Sequence, residues 1–331
     1  MRICLRRREF IAGLGGAAAW PLAARPQRPA IPVIGYLGVR SAATDASYVE
    51  AFRQGLSENG FIAGRNVQIE FHWANNPANQ RATLPGLVAE LVRRRVNLIV
   101  CAGGDVAPLA AKAATGTIPI VFSTGGDPVK NGLVTSLNRP GGNLTGVTNL
   151  TRELSAKRLG LLVDVVPKVT AIAYLVSSDA PNVSQTADLQ EAARTIGREL
   201  FVLNVRSERD IEGLFSTMMQ YGIGAFLVSG GFSGLSPGLL TALATRHGLP
   251  ALYPMREFAT IGGLMSYGAS FTTMYHQVGV YAGRILKGAN PAELPVMQPT
   301  KFEFVINLNV AKALGITIPA GVLAIADEVI E

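Results

Sequence analysis

From Ile31 onward, short apolar runs alternate with longer amphipathic stretches, the pattern of βαβ units built on parallel sheets. The first run, IPVIGYLG (31–38), predicts a strand, and SYVEAFRQGLSENG (47–60) predicts a helix. In that helix Val49, Phe52 and Leu56 share one face, and Gly60 is placed to stop it. NVQIEFHWA (66–74) reads as a strand and is followed by a helix carrying Leu84 to Arg95. NLIVCAG (97–103) and IPIVFSTG (118–125) read as strands around an Ala-rich helix, and NLTGVTNL (143–150) closes the series.

A second series begins at once. ELSAKRLGLLVDVVP (153–167) is helical, AIAYLVSS (171–178) is a strand, and residues 183–198 form a helix. LFVLNV (200–205), AFLVSG (225–230), ALYPM (251–255) and LMSYGAS (264–270) are strands separated by helices. TTMYHQVGVYAGRILKG (272–288) is a long helix; the Pro-rich NPAELPVMQP then leads to a last strand, KFEFVIN (301–307), and a short helical end. The fold class is therefore α/β: two doubly wound, Rossmann-like lobes of five strands each, with parallel sheets around a central cleft. In such sheets a ligand sits beyond the carboxyl ends of the strands. The loops of interest are 38–47, 103–107, 124–131, 177–183, 230–236, 253–258 and 267–272.

Composition changes the picture mainly through the placement of charge. The formal net charge of +7 suggests nucleic acid until it is located. Residues 1–30 hold six Arg and one acid, a net of +5; the remaining 24 basic and 22 acidic residues leave the body only +2. Phosphate binding needs a basic stripe on the folded domain, and the one dense run, Arg93-Arg94-Arg95, closes a helix where the dipole favours cations. Arg7-Arg8-Glu9-Phe10-Ile11 fits the core of a twin-arginine signal, and Ile11 to Ala24 is a short, weakly apolar stretch after it. Cleavage near Leu22-Ala23-Ala24 removes Trp20 with this signal and leaves Trp73 as the single tryptophan. Cys4 precedes the apolar stretch, so no lipid-anchor cysteine follows it. Cys101, alone in the body, reads as an inert core residue on a strand.

The strand-end loops carry small and polar residues: GVRSAATDAS, GGDVAP, STGGDP, SSDAPN, SGGFSGLSP, YPMREF and SYGAS. Glycine admits a ligand close to backbone N–H groups, while Ser, Thr, Asp and Asn fix its polar groups. Tyr253, Phe232 and Tyr267 are candidates for packing an apolar or planar part. Asp127 in GGDPVKNGLV fits a helix cap with Pro128 behind it, and fits a ligand amine equally well. Catalytic constellations are missing: His72, His247 and His276 have no partner at metal-ligand spacing, and neither a G-x-S-x-G elbow nor a Walker A loop occurs. No metal and no cofactor is expected.

Several stretches together resemble the periplasmic substrate-binding proteins of ABC transporters, in the tryptophan/tyrosine-type group with the type I periplasmic-binding fold. They include RRREFIAGLGGAAAWPLAA, AFRQGLSENGFIAGRNVQIEFHWA, IPIVFSTGGDPVKNGLVTSLNRPGGNLTGVTNL, GGLMSYGAS and YHQVGVYAGRILKGANPAELPVMQPTKFEFVINL. The resemblance implies a signal peptide over 1–30, an N-terminal lobe of 31–150 plus about 271–300, and a C-terminal lobe of 151–270 plus about 301–331. It implies three crossovers, hinge closure on one ligand, and contacts from Arg40, Ser41, Gly104, Asp105, Thr124, Gly125 and Asp127 in the first lobe. The second lobe would offer Ser177, Ser178, Asp179, Asn182, the 230–233 loop and Tyr253. One position departs from the pattern. Gly230-Gly231-Phe232-Ser233 stands where related chains carry an Asp-Pro pair, so an acidic anchor for a ligand amine is missing. An aromatic or other carboxylate without a free amine becomes as good a candidate as an amino acid.

The expectation is a periplasmic solute receptor, exported by the twin-arginine route, that closes on a small organic ligand and presents it to a permease. Its partners would be the ligand and the ABC permease and ATPase subunits. No nucleic acid is expected, and the membrane is reached only through the permease. A periplasmic sensor partner of a signalling receptor is the alternative. A repressor would need a helix-turn-helix ahead of the first lobe, and an enzyme would need catalytic groups; the chain offers neither.

Overall fold

The computed structural model describes residues 31–74, 80–149, 154–177, 183–206, 209–230, 237–299 and 302–331. The proposed signal segment, with Cys4 and Trp20, lies outside them. Pro32–Glu331 is one unit containing two sheets.

The first sheet is made of β1 (Val33–Gly38), β2 (Gln68–Trp73), β3 (Leu98–Ala102), β4 (Ile120–Thr124) and β5 (Leu144–Thr148). Its order is β2-β1-β3-β4-β5 with every pair parallel. Helices α1 (Ala46–Glu58), α2 (Gln80–Arg93) and α3 (Val106–Ala114) connect the first four strands. β3 and β4 are buried along their whole length, which is why both read as unbroken apolar runs. Alternate residues feed two cores: Ile34, Tyr36, Leu98 and Val100 on one face, and Leu37, Ile99 and Cys101 on the other.

The second sheet contains β6 (Ala171–Ser177), β7 (Glu199–Val205), β8 (Ala225–Val228), β9 (Ala251–Tyr253), β10 (Met265–Ala269), β11 (Phe302–Asn307) and β12 (Glu328–Ile330). Its order is β12-β11-β10-β9-β8-β6-β7, so the five strands β6–β10 repeat the winding of the first sheet. Helices α4 (Ser155–Val165), α5 (Val183–Thr195), α6 (Arg209–Gln220), α7 (Pro237–Arg246) and α8 (Arg256–Thr260) belong to this half. The sheet has seven strands where the sequence pattern gave six at most, and β11 runs antiparallel to β10. β12 is three residues long, too short to show a period, and pairs with β11 beyond the chain's last helices.

Helix α9 (Phe271–Leu286) follows β10 but packs against the first sheet, where Met274, Tyr275, Val278 and Tyr281 join the core of Tyr36 and Phe52. The chain then passes beside β5, where the Thr148 N–H donates to the Met297 carbonyl at 2.9 Å, before entering β11 in the second sheet. It therefore crosses between the sheets three times: after β5, after β10 and after Met297. The last helices are α10 (Leu308–Ala313) and α11 (Ala320–Leu323). No helix among the described residues is long and apolar enough to cross a membrane.

The basic run after α2 is tied to acids: Arg93 pairs with Glu90 at 3.3 Å and Arg94 with Glu70 at 2.5 Å. Arg95 ends the helix with φ of 53°. Cys101 is fully buried in β3, and burial pushes its thiol far up.

Candidate functional site

The site is built first from the turn that follows β1. Ser41 and Thr44 exchange backbone and hydroxyl hydrogen bonds, closing a tight turn ahead of α1. Asp45 occupies the cap position of that helix without capping it. Its carboxylate turns inward instead and accepts from Arg40 Nε at 2.5 Å, with the Asp45 side chain fully buried and Arg40 13% exposed. Arg40 Nη2 donates to the Tyr275 hydroxyl at 3.2 Å, and the guanidinium lies 5.0 Å from the centre of the Tyr48 ring. Tyr48 stacks on Tyr275 at 5.0 Å, with Phe271 5.9 Å away on its other contact. One loop and two helices thus fix one guanidinium at the carboxyl end of the first sheet.

Below it, the Tyr36 ring packs against Phe52, Phe71 and Trp73. The Tyr36 hydroxyl and Asp45 Oδ2 are buried without a hydrogen-bond partner among the described residues. Burial raises the phenols of this cluster: Tyr36 well above its usual value, and Tyr275 up to about 12 against the lowering pull of Arg40. Burial also raises the Asp45 carboxyl, with the Arg40 charge and hydrogen bond opposing it. The Arg40–Asp45 pair therefore costs desolvation, and its value lies in fixing geometry. Among the described residues the polar contacts of Arg40 run through Nε and Nη2, which leaves the two N–H groups of Nη1 for another acceptor.

The ends of β3, β4 and β5 form the rest of this edge. Gly103 and Gly104 take φ of 97° and 121°, a turn that side chains resist, and both N–H groups donate to Ser123. Thr124 is buried and its hydroxyl donates to Asp105 while accepting from the Gly126 N–H at 3.2 Å. Gly125 approaches the other half: a Cβ placed there would lie 3.9 Å from the Gly230 carbonyl. Asp127 accepts from the Val129 and Lys130 N–H groups at 2.8 and 3.2 Å, so in this structure its carboxylate closes a turn.

The second half contributes differently from expectation. Tyr253 is fully buried, stacked on Phe258 at 4.7 Å and edge-on to Phe226, so its ring packs in the core of the second sheet. The physical reason is that β9 is central and its alternate positions point into the sheet's own core. Tyr267 likewise packs on Phe302 and Phe304; its carbonyl, not its ring, is engaged, accepting from Arg158 Nε at 2.7 Å. Ser177 ends β6 opposite Val205. Ser178, Asp179, Asn182 and Phe232 lie outside the described residues. Arg158, 1% exposed on α4, is a buried cation whose pKa burial lowers to about 10.

The structure thus brings Arg40, Ser41, Gly104, Asp105, Thr124 and Gly125 to one edge, and adds residues that the sequence did not single out: Asp45, Tyr48 and Tyr275, with Met255 and Glu257 reaching them from the second half. Asp45, Met255 and Glu257 fell within the loops of interest, but an Asp before a helix reads as a cap. Tyr48 and Tyr275 sit on apolar helix faces and read as packing. His276 pairs with Glu58 at 2.8 Å and His247 stacks on Phe215. No group of three or more His, Cys, Asp or Glu suited to a metal occurs among the described residues.

This doubly wound pair of sheets, crossed three times by the chain and polar where the strands end, has the type I periplasmic-binding fold. Residues 39–330 match the ABC transporter substrate binding protein family, and the chain belongs to it. It is 25% identical over 267 residues to a tyrosine-binding protein of Clostridioides difficile (strain R20291), covering 80% of this chain and 75% of that protein. An ABC domain from Streptococcus pneumonia solved in complex with L-Trp superposes with a TM-score of 0.78 at 26% identity, covering 90% of this chain and 99% of that one. A conserved domain protein from Vibrio cholerae O1 biovar El Tor gives a TM-score of 0.80 at 24% identity over the same shares. The family is one of solute binders.

Proposed function

We propose that this chain is the periplasmic solute receptor of an ABC importer, exported by the twin-arginine segment at its start and delivering its ligand to a permease. The ligand is a small carboxylate with an aromatic part, with aromatic amino acids among the candidates. The observation that carries this reading is Arg40, held by Asp45 and Tyr275, stacked on Tyr48, and offering Nη1 at the edge where the strands of the first sheet end. A planar guanidinium suits a carboxylate, and the Tyr48 and Phe271 rings beside it suit a planar group. The tyrosine-binding relative and the L-Trp complex support the aromatic part.

Closure of the two sheets around such a ligand follows the three crossings, which act as hinges. Isothermal titration with L-tryptophan, L-tyrosine and the aromatic acids that lack an amine tests the reading. Binding by wild type that Arg40→Met removes is the expected result. No heat and no rise in melting temperature across the panel would overturn it, because a ligand bound only by the native state must raise that temperature.

A further inference from the structure

One short segment of the second half, Met255–Glu257, reaches the first. Met255 is half-buried and packs against two cores at once: the one holding Tyr48, Phe271 and Tyr275, and the one holding Tyr253 and Phe258. Two residues on, Glu257 lies near enough to Tyr48 of the opposite half that its charge, after burial, is the largest influence raising the Tyr48 phenol. Elsewhere on the facing edges the backbone at Gly230 comes close to Gly125. Met255 and Glu257 flank Arg256, which is turned away and paired with Glu328 at 2.9 Å.

We propose that Met255 and Glu257 form a ligand-independent clasp, an apolar plug and a carboxylate that hold the second half against Tyr48 of the first. The inference rests on the closing-receptor reading above. A ligand shifts an equilibrium only by its differential affinity for the two states, and the affinity seen from outside scales with the fraction already competent. Contacts made by the chain itself therefore set how much of closure the ligand must drive. The clasp touches Tyr48, whose ring carries Arg40, so closing also steadies the surface on which the guanidinium lies.

The test reads the distance between spin labels in ligand-free full-length protein. Cys4→Ser removes the thiol near the start, and labels go on Leu109→Cys and Tyr221→Cys, both exposed, one in each half. Met255→Ala, Glu257→Gln and Tyr48→Phe are each expected to enlarge the long-distance population, lowering the closed-to-open ratio about tenfold for Met255→Ala and severalfold for the other two. Glu257→Gln and Tyr48→Phe together should do no more than either alone, because they remove the same contact. Unchanged distances in all three variants would overturn the clasp, and so would fully additive effects of Glu257→Gln and Tyr48→Phe. Tyr48→Phe keeps the ring and Glu257→Gln keeps the shape, so a Met255→Ala protein that failed to fold would leave the test standing on these two. The readout needs no ligand, so a clasp that fails and a binding panel that fails are separate results.

Discussion

Gly279 of α9 lies against the main-chain carbonyl of Phe52 in α1, so close that a Cβ there would stand 2.1 Å from the oxygen. The contact is mutual, since a Cβ on Gly55 would meet the His276 carbonyl at 2.0 Å. Two glycines thus let the helix that returns from the second sheet dock backbone to backbone on the first. Gly279→Ala forces these helices apart, and overpacking of this kind costs about 1–3 kcal/mol. A lowered urea midpoint with an unchanged slope is the expected outcome.

Asp45 and Arg40 should behave as one unit. Asp45→Ala leaves the guanidinium buried beside Tyr275 without its carboxylate, a change that costs about 3–5 kcal/mol when an ion pair is buried. Arg40→Met combined with Asp45→Ala should recover much of that loss, because both charges leave together. A double-mutant cycle by chemical denaturation gives the coupling, and simple additivity would contradict the arrangement.

Alkali should unfold this protein through its tyrosines. Burial raises Tyr36, Tyr48, Tyr253 and Tyr275, the last to about 12 from 10.0. A phenol whose pKa is higher folded than unfolded keeps its proton longer in the native state. Stability is therefore whole below about pH 10 and falls as pH rises towards about 12, by on the order of 2 kcal/mol from Tyr275. Absorbance at 295 nm should show these four phenols ionising only as the far-ultraviolet signal is lost.

Trp73 should report on the edge of the first sheet. Its ring lies over Gly38, where a Cβ would be 2.2 Å from the indole, and 5.5 Å from Tyr36. Gly38→Ala must displace the indole, and in a Trp20→Phe background its emission should move to the red. An unchanged spectrum would place the ring elsewhere.

The winding of both sheets was legible because a parallel strand buried on two faces leaves a run such as NLIVC or IVFST that little else imitates. β12 was not, since three residues carry no period and its pairing depends on β11. The loops at the carboxyl ends of the strands follow from topology alone, but which side chains meet within them does not. Asp45 looks like a helix cap until Arg40 is seen to turn its carboxylate inward, and Tyr275 looks like filler until that guanidinium reaches it. Tyr253, an aromatic next to a loop in the sequence, ends a central strand and packs in its core. Contacts between residues 235 positions apart leave no local trace.

The late arrival of α9 has a consequence for synthesis. The five strands of the first sheet are complete once Thr148 has been made, yet the helix that covers the Tyr36 face begins at Phe271, after all of β6 to β10. During translation that face, with Ile34, Tyr36, Leu98 and Val100, has α1 upon it but not α9. A nascent chain in this state offers an apolar strip to chaperones, and the first half can finish folding only after β6 to β10 of the second have been made.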